Sequence, residues 1–160
     1  MNSYSGYLAD IAKWWSENIS KDWLDIRSQT YGILQREDTL KEIVKLLGPE
    51  ALPDEEKLIL EVARMIKIGI LQQNSFDDVD TYCSPEKQFK LMKLQVDFYN
   101  KGQQALKDGA SLADIRSMNV ISLLLKARMD VKDDEMPKLD KIETDMIEQF
   151  NSVTGVKVEN

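Results

Sequence analysis

The chain has no histidine and one cysteine, Cys83, in 160 residues. Without histidine there is no Ser-His-Asp or Cys-His nucleophile system, no HExxH zinc site and no Glu-x-x-His pair of the di-iron kind. One thiol cannot make an internal disulfide, which fits a reducing, cytoplasmic setting. No GxxxxGK[ST] segment is present, so the chain carries no phosphate-cradling loop of that type. No run of 18 apolar residues occurs, so direct membrane insertion is not expected. The N-terminus lacks a basic-then-apolar export signal. Basic residues are also few: Lys and Arg total 21 against 28 acids, a net charge of −7. That balance disfavours nucleic acid, whose phosphates call for clustered positive charge. Taken alone, this is not a self-sufficient enzyme of any common type, and no catalytic residue is assigned within it.

What is present is helical periodicity. No segment alternates apolar and polar residues at period two for long, so strands are not expected. Tyr7, Ile11, Trp14 and Trp15 share one face over 7–15. A longer helix over 21–47 places Trp23, Ile26, Ile33, Leu34, Leu40, Ile43, Val44 and Leu47 at roughly helical intervals, and Gly48-Pro49 ends it. Pro53 and the acids Asp54, Glu55 and Glu56 open the next helix, with negative charge at the positive end of its dipole. That helix is expected to run to about Gln73. It is apolar on most sides, with a narrow polar stripe of Glu61, Arg64 and Lys67, the pattern of a central buried helix.

Ser84-Pro85-Glu86 is a strong helix start, and Phe89, Met92, Val96, Tyr99 and Leu106 mark one face of the helix that follows to about 107. "SLAD", 111–114, resembles a capping box and opens a short turn before a helix over "VISLLLKARM". After a charged loop over 130–136, a last helix carries Leu139, Ile142, Met146, Phe150 and Val153, and Gly155 ends it. The expected architecture is all-α, a bundle of five to seven helices in one domain.

Several side chains invite chemical readings. Asp77, Asp78 and Asp80 have acid spacing but no EF-hand register, since Cys83 stands where the glycine should be, so no metal site is assigned. Cys83 reads as a small buried apolar residue rather than a reactive thiol. Trp14, Trp15 and Trp23 read either as core or, if partly exposed, as an interface. "PDEEKL" reads as a charged first turn or as an acidic corner for a basic partner.

Two stretches together carry a family resemblance. "NSYSGYLADIAKWW", 2–15, and "EIVKLLGPEALPDEEKLILEVARMIKIGILQQNSFDDVDTYCSPEKQ", 42–88, resemble the C-terminal helical domain of the catalytic A subunit of archaeal A-type and related V-type rotary ATPases. The resemblance extends over nearly the whole chain. It implies that residues 1–160 carry that domain alone. The nucleotide-binding domain, with its P-loop, catalytic glutamate and magnesium ligands, would lie outside them.

"GPEALPDEEKL", 48–58, aligns without gaps with "GMDELSEEDKL" of the related F-type beta subunit, the helix-turn-helix that pushes on the rotor shaft. By that likeness Glu50, Leu52, Asp54, Glu55 and Glu56 would form a rotor contact. Ala51 stands where the F-type pattern has an acid and Pro53 where it has serine, which lowers the charge and stiffens the turn. The resemblance also puts Phe76 and Tyr82 against adenine and Cys83 near the P-loop. The chain alone would bind no cofactor; the full-length subunit would use ATP or ADP with Mg for hydrolysis or synthesis coupled to ion transport. Implied partners are the B subunits and the central rotor stalk. The location would be cytoplasmic and membrane-peripheral, and the isolated domain could self-associate through surface left bare. The alternative from composition is a stand-alone acidic helical adaptor or scaffold.

Overall fold

A computed structural model describes residues 2–71 and 84–155 of the chain. The elements are α1 (Asn2–Asn18), α2 (Trp23–Leu47), α3 (Asp54–Ile66), a π-helical turn (Lys67–Leu71), α4 (Pro85–Lys107), the short α5 (Leu112–Arg116), α6 (Asn119–Asp130) and α7 (Pro137–Thr154). Single 3₁₀ turns occupy Pro49–Ala51 and Asp133–Glu135. Among the described residues there is no strand, and the expected all-α bundle is what forms. None of the described helices is long and apolar enough to cross a membrane.

α3 is the centre. Leu58, Val62, Ala63, Met65 and Ile66 are fully buried, packed in one core with Leu94 and Phe98 of α4 and Leu124 of α6. Each large aliphatic side chain buried this way contributes roughly 1.5–3 kcal/mol. Glu61, Arg64 and Lys67 form its outer stripe, as the sequence implies, with Arg64 bonding Glu61 at 2.6 Å. Gly102 of α4 sits where α3 comes closest: a Cβ there would lie 2.8 Å from a Leu58 methyl. Phe98 meets Phe150 edge-on at 5.2 Å and so ties α4 to α7. The same two helices are joined by Lys90, which lies 2.6 Å from Glu143 and 3.2 Å from Asp140.

α2 buries Trp23, Ile26, Thr30, Ile33, Glu37 and Leu40, alternating steps of three and four. That stripe stops at Leu40. In the last two turns of α2 Ile43 and Val44 are half-buried, while Lys41, Glu42, Lys45, Leu46 and Leu47 are exposed. A smaller apolar cluster holds Trp23, Ile26, Phe89 and Val96, with Trp15 packed against it. The rings of Trp15 and Trp23 stack at 5.2 Å, while Trp14 meets Trp15 edge-on and stays exposed. The tryptophan group therefore divides: Trp15 and Trp23 are packing, and Trp14 is surface.

The caps follow the expected chemistry. Ser84 Oγ accepts from Lys87 N at 3.2 Å and Ser111 Oγ from Asp114 N at 3.0 Å. Gly155 ends α7 in the left-handed conformation. Two expectations do not hold. Leu47, assigned to the buried face of α2, is 72% exposed, because it lies beyond the end of the buried stripe. The helix expected from Pro53 to about Gln73 is α-helical only to Ile66 and then widens into the π turn. Gly69 lies in that turn, where even an added Cβ would be only 3.1 Å from Leu124 O and from Gln95 Nε2. The backbone of α3's end is thus pressed directly onto α6 and α4.

Candidate functional site

The turn between α2 and α3 gathers the residues expected at a rotor contact. α2 ends where Gly48 takes φ 85°, a value that L side chains disfavour, while its N–H still bonds Val44 O at 2.9 Å. Pro49–Ala51 make one 3₁₀ turn, closed by the Leu52 N–H on Pro49 O at 3.3 Å. Pro53 precedes the first helical residue, where its missing N–H costs nothing. Its carbonyl accepts from the N–H groups of Glu56 and Lys57, both at 3.0 Å.

The five expected contact residues separate into three roles. Leu52 is only 4% exposed. It plugs the turn into the bundle and offers no outward surface. Glu56 is half-buried and bonds Arg36 at 2.8 Å, which fixes the first turn of α3 to the middle of α2. Glu50, Asp54 and Glu55 face outward. Glu50 is 93% exposed, with Lys57 at 3.6 Å, and the backbone carbonyl of Glu55 accepts from Gln103 Nε2 of α4 at 3.2 Å.

Sequence reasoning missed two residues of this corner. Leu46 and Leu47, the last two residues of α2, are 82% and 72% exposed. Adjacent leucines on a helix point about 100° apart, so a narrow buried stripe could not have taken both. The tip is therefore mixed: two bare leucines and three outward carboxylates on a turn anchored by Leu52, Arg36 and Gln103.

Phe76, Tyr82 and Cys83, the residues expected near adenine, lie outside the described residues, as do Asp77, Asp78 and Asp80. The described residues on either side converge on the end of α6. Arg128 Nη1 donates to Ile70 O at 2.6 Å, taking a carbonyl of the π turn. Lys87, buried in the first turn of α4, donates its ammonium to Arg128 O at 2.6 Å. Ser84 N–H reaches Asp133 Oδ1 at 3.4 Å. A buried ammonium is tolerable only with such a partner.

Comparison with known proteins gives one consistent result. The family described as the C-terminal domain of V and A type ATP synthase matches residues 12–116. The A subunit of the A-type ATP synthase of Hyperthermus butylicus is 44% identical over 157 residues, covering 97% of this chain and 26% of the relative. Its counterpart in Ignicoccus hospitalis is 44% identical over 154 residues, 95% of this chain and 26% of the relative. The V-type ATP synthase alpha chain of Halothermothrix orenii is 38% identical over 151 residues, 94% of this chain and 26% of the relative. The chain thus spans about a quarter of the length of the curated relatives it matches.

Proposed function

The chain belongs to the family of C-terminal domains of V and A type ATP synthases, and on that footing we propose that it is the mechanical, non-catalytic part of a rotary ATPase catalytic subunit. In this reading nucleotide-driven closure of the adjoining nucleotide-binding domain swings the bundle, and the α2–α3 tip pushes on the central stalk. B subunits flank it in the assembled enzyme. ATP or ADP, with Mg, would be held chiefly by the part of the enzyme outside this chain. Phe76 and Tyr82 would supply flat apolar surface to the adenine, stacking with little discrimination beyond shape, with Cys83 beside them.

The observation that carries the proposal is the tip itself. Leu46, Leu47, Glu50, Asp54 and Glu55 stand out from a turn whose base is fixed by buried Leu52 and by Arg36 bonded to Glu56. A pushing surface must not yield, and α3 behind it is a 13-residue helix buried on most sides, about 20 Å long. That strut has the tip at its start and the π turn Lys67–Leu71 just after its end. In this reading α3 carries force between the tip and the segment that follows the π turn. The mixed surface also suits a contact that slides and reforms: carboxylates steer a basic shaft at low specificity, and leucines resist it by packing.

Torque in the assembled motor tests the reading. Replacing Leu46, Leu47, Glu50, Asp54 and Glu55 together by alanine should lower rotational torque while ATP hydrolysis continues. Undiminished torque in that variant would overturn the proposal.

A further inference from the structure

Two departures from ordinary packing meet at the far end of α3. The first is its register. α3 is α-helical to Ile66 and then runs as a π turn over Lys67–Leu71, where backbone bonds reach from i to i+5 instead of i+4. Such turns are rare, and the tighter α register is one residue away. The second departure is Gln95 of α4. Its side chain is 2% exposed, and no donor among the described residues reaches its Oε1. A buried carbonyl oxygen without a donor lowers the population of the state that contains it by roughly tenfold.

The two departures touch. A Cβ added to Gly69, in the middle of the π turn, would lie 3.1 Å from Gln95 Nε2 and 3.1 Å from Leu124 O. The Gln95 amide therefore lies against the backbone of the turn, at the one residue there without a side chain. The turn is tied on either side of that glycine. Lys67 pairs with the buried Glu37 of α2. Ile70 O accepts from Arg128 Nη1 of α6 at 2.6 Å. A segment tied in this way can exchange its internal hydrogen bonds while Leu58, Val62 and Ile66 stay packed in the core.

We propose that the π turn is a two-state conformational element, with Arg128 holding one state and Gln95 the other. In the state described here the bonds run i to i+5, Arg128 holds Ile70 O, and Gln95 Oε1 is unpaired. In the second state the turn tightens to α-helical bonds, Arg128 releases Ile70 O, and a backbone N–H of the turn donates to Gln95 Oε1. One hydrogen bond to a buried carbonyl oxygen is exchanged for another, so the two states lie close in free energy. A shift of one residue in register turns the chain at Leu71 by about 100° and draws it in by about 1.5 Å. The element lies at the opposite end of α3 from the tip, and its two states do not depend on the rotor contact.

Nitrogen-15 relaxation dispersion on the full chain tests the proposal, with the Gly69 amide as reporter. Register shifts of a helix fall in the microsecond-to-millisecond range that this measurement reads. Lys67–Leu71 and the Gln95 side-chain amide should exchange in one common process, while Leu58, Val62 and Ile66 stay flat. Gln95→Met keeps the bulk of the side chain and removes the acceptor that the second state uses. It should lower the minor population roughly tenfold. Arg128→Met removes the donor that holds the first state and should raise that population roughly tenfold. Circular dichroism checks that each variant is folded, with Gln95→Leu and Arg128→Lys as replacements expected to act in the same directions. A purely structural role for Gln95 would change the melting temperature and leave the dispersion as it was. Flat profiles over Lys67–Leu71 in the parent, or exchange unchanged by the Gln95 substitution, would overturn the proposal. A fall in the minor population on substitution of Arg128 would overturn it as well.

Discussion

Two glycine-to-alanine substitutions, in helices of one bundle, should move stability in opposite directions. Gly32 lies on the exposed side of α2, and a Cβ there would meet nothing within 4 Å. Alanine at such a site gains helix propensity and lowers unfolded-chain entropy, worth roughly 0.5–1 kcal/mol. Gly102 lies inside α4 against α3. Its Cβ would sit 2.8 and 3.3 Å from the two Leu58 methyls, where relaxed carbon contacts need about 3.5–4.0 Å. Leu58 is fully buried, so its rotation displaces neighbouring core side chains. Overpacking of this kind costs about 1–3 kcal/mol. The backbone gain is common to both variants and cancels between them. Gly102→Ala should therefore be less stable than Gly32→Ala by about 1–3 kcal/mol. With a urea dependence of about 2 kcal/mol per molar, the two unfolding midpoints should differ by about 0.5–1.5 M, with Gly32→Ala above the parent. Equal midpoints would refute the close seating of α3 on α4, and with it the rigid strut behind the tip.

Other expectations follow from particular contacts. Ser84→Ala removes the side-chain cap of α4 and should cost about 1 kcal/mol in denaturant unfolding. Lys87→Met leaves Arg128 O without that ammonium and should cost about 1.5–3 kcal/mol by the same assay. The Lys90–Glu143 pair makes a pH prediction. Burial opposes charge on Lys90, but hydrogen bonds to Glu143 and Asp140 outweigh it and hold the lysine above its ordinary value. The hydrogen bond from Lys90 holds Glu143 below its own. Glu143 therefore stabilises the fold above its unfolded value of 4.5, and that contribution is lost as pH falls through the lowered folded value. The Lys90 contribution is complete below 10.5 and lost as pH rises through the raised value. The melting-temperature gap between the parent and Glu143→Gln should be flat between about pH 6 and 9 and shrink in acid. Calorimetry on this chain alone should detect no tight ATP binding.

The helices were legible because their signals are local. Ser84 and Ser111 cap where their sequence context says, and the three-and-four spacing of Trp23 to Leu40 is the buried stripe. What the sequence could not carry depends on where the bundle ends. Leu47 continues the helical period of α2, yet no described residue covers it, although Ile43 and Val44 before it are half-buried. The π turn depends on how closely Gly69 is pressed to α6, a contact between residues 55 positions apart. At the tip, the outward acids could be read from charge and position alone. The burial of Leu52, the engagement of Glu56 by Arg36 and the exposure of Leu46 could not, since each is set by tertiary packing. Arg128 gave no sequence signal for its hold on Ile70 O, which joins elements 58 residues apart.

The mechanical role rests on physical contact between the tip and the rotor. The most direct measurement places cysteine at Leu47, tethers it by a short bifunctional cross-linker to the central stalk of the assembled enzyme, and follows ATP-driven rotation. The account predicts that a cross-link to the stalk forms, that rotation stops, and that cleaving the linker restores it. Failure of the tip to cross-link to the stalk, or rotation that continues with the link in place, would contradict it.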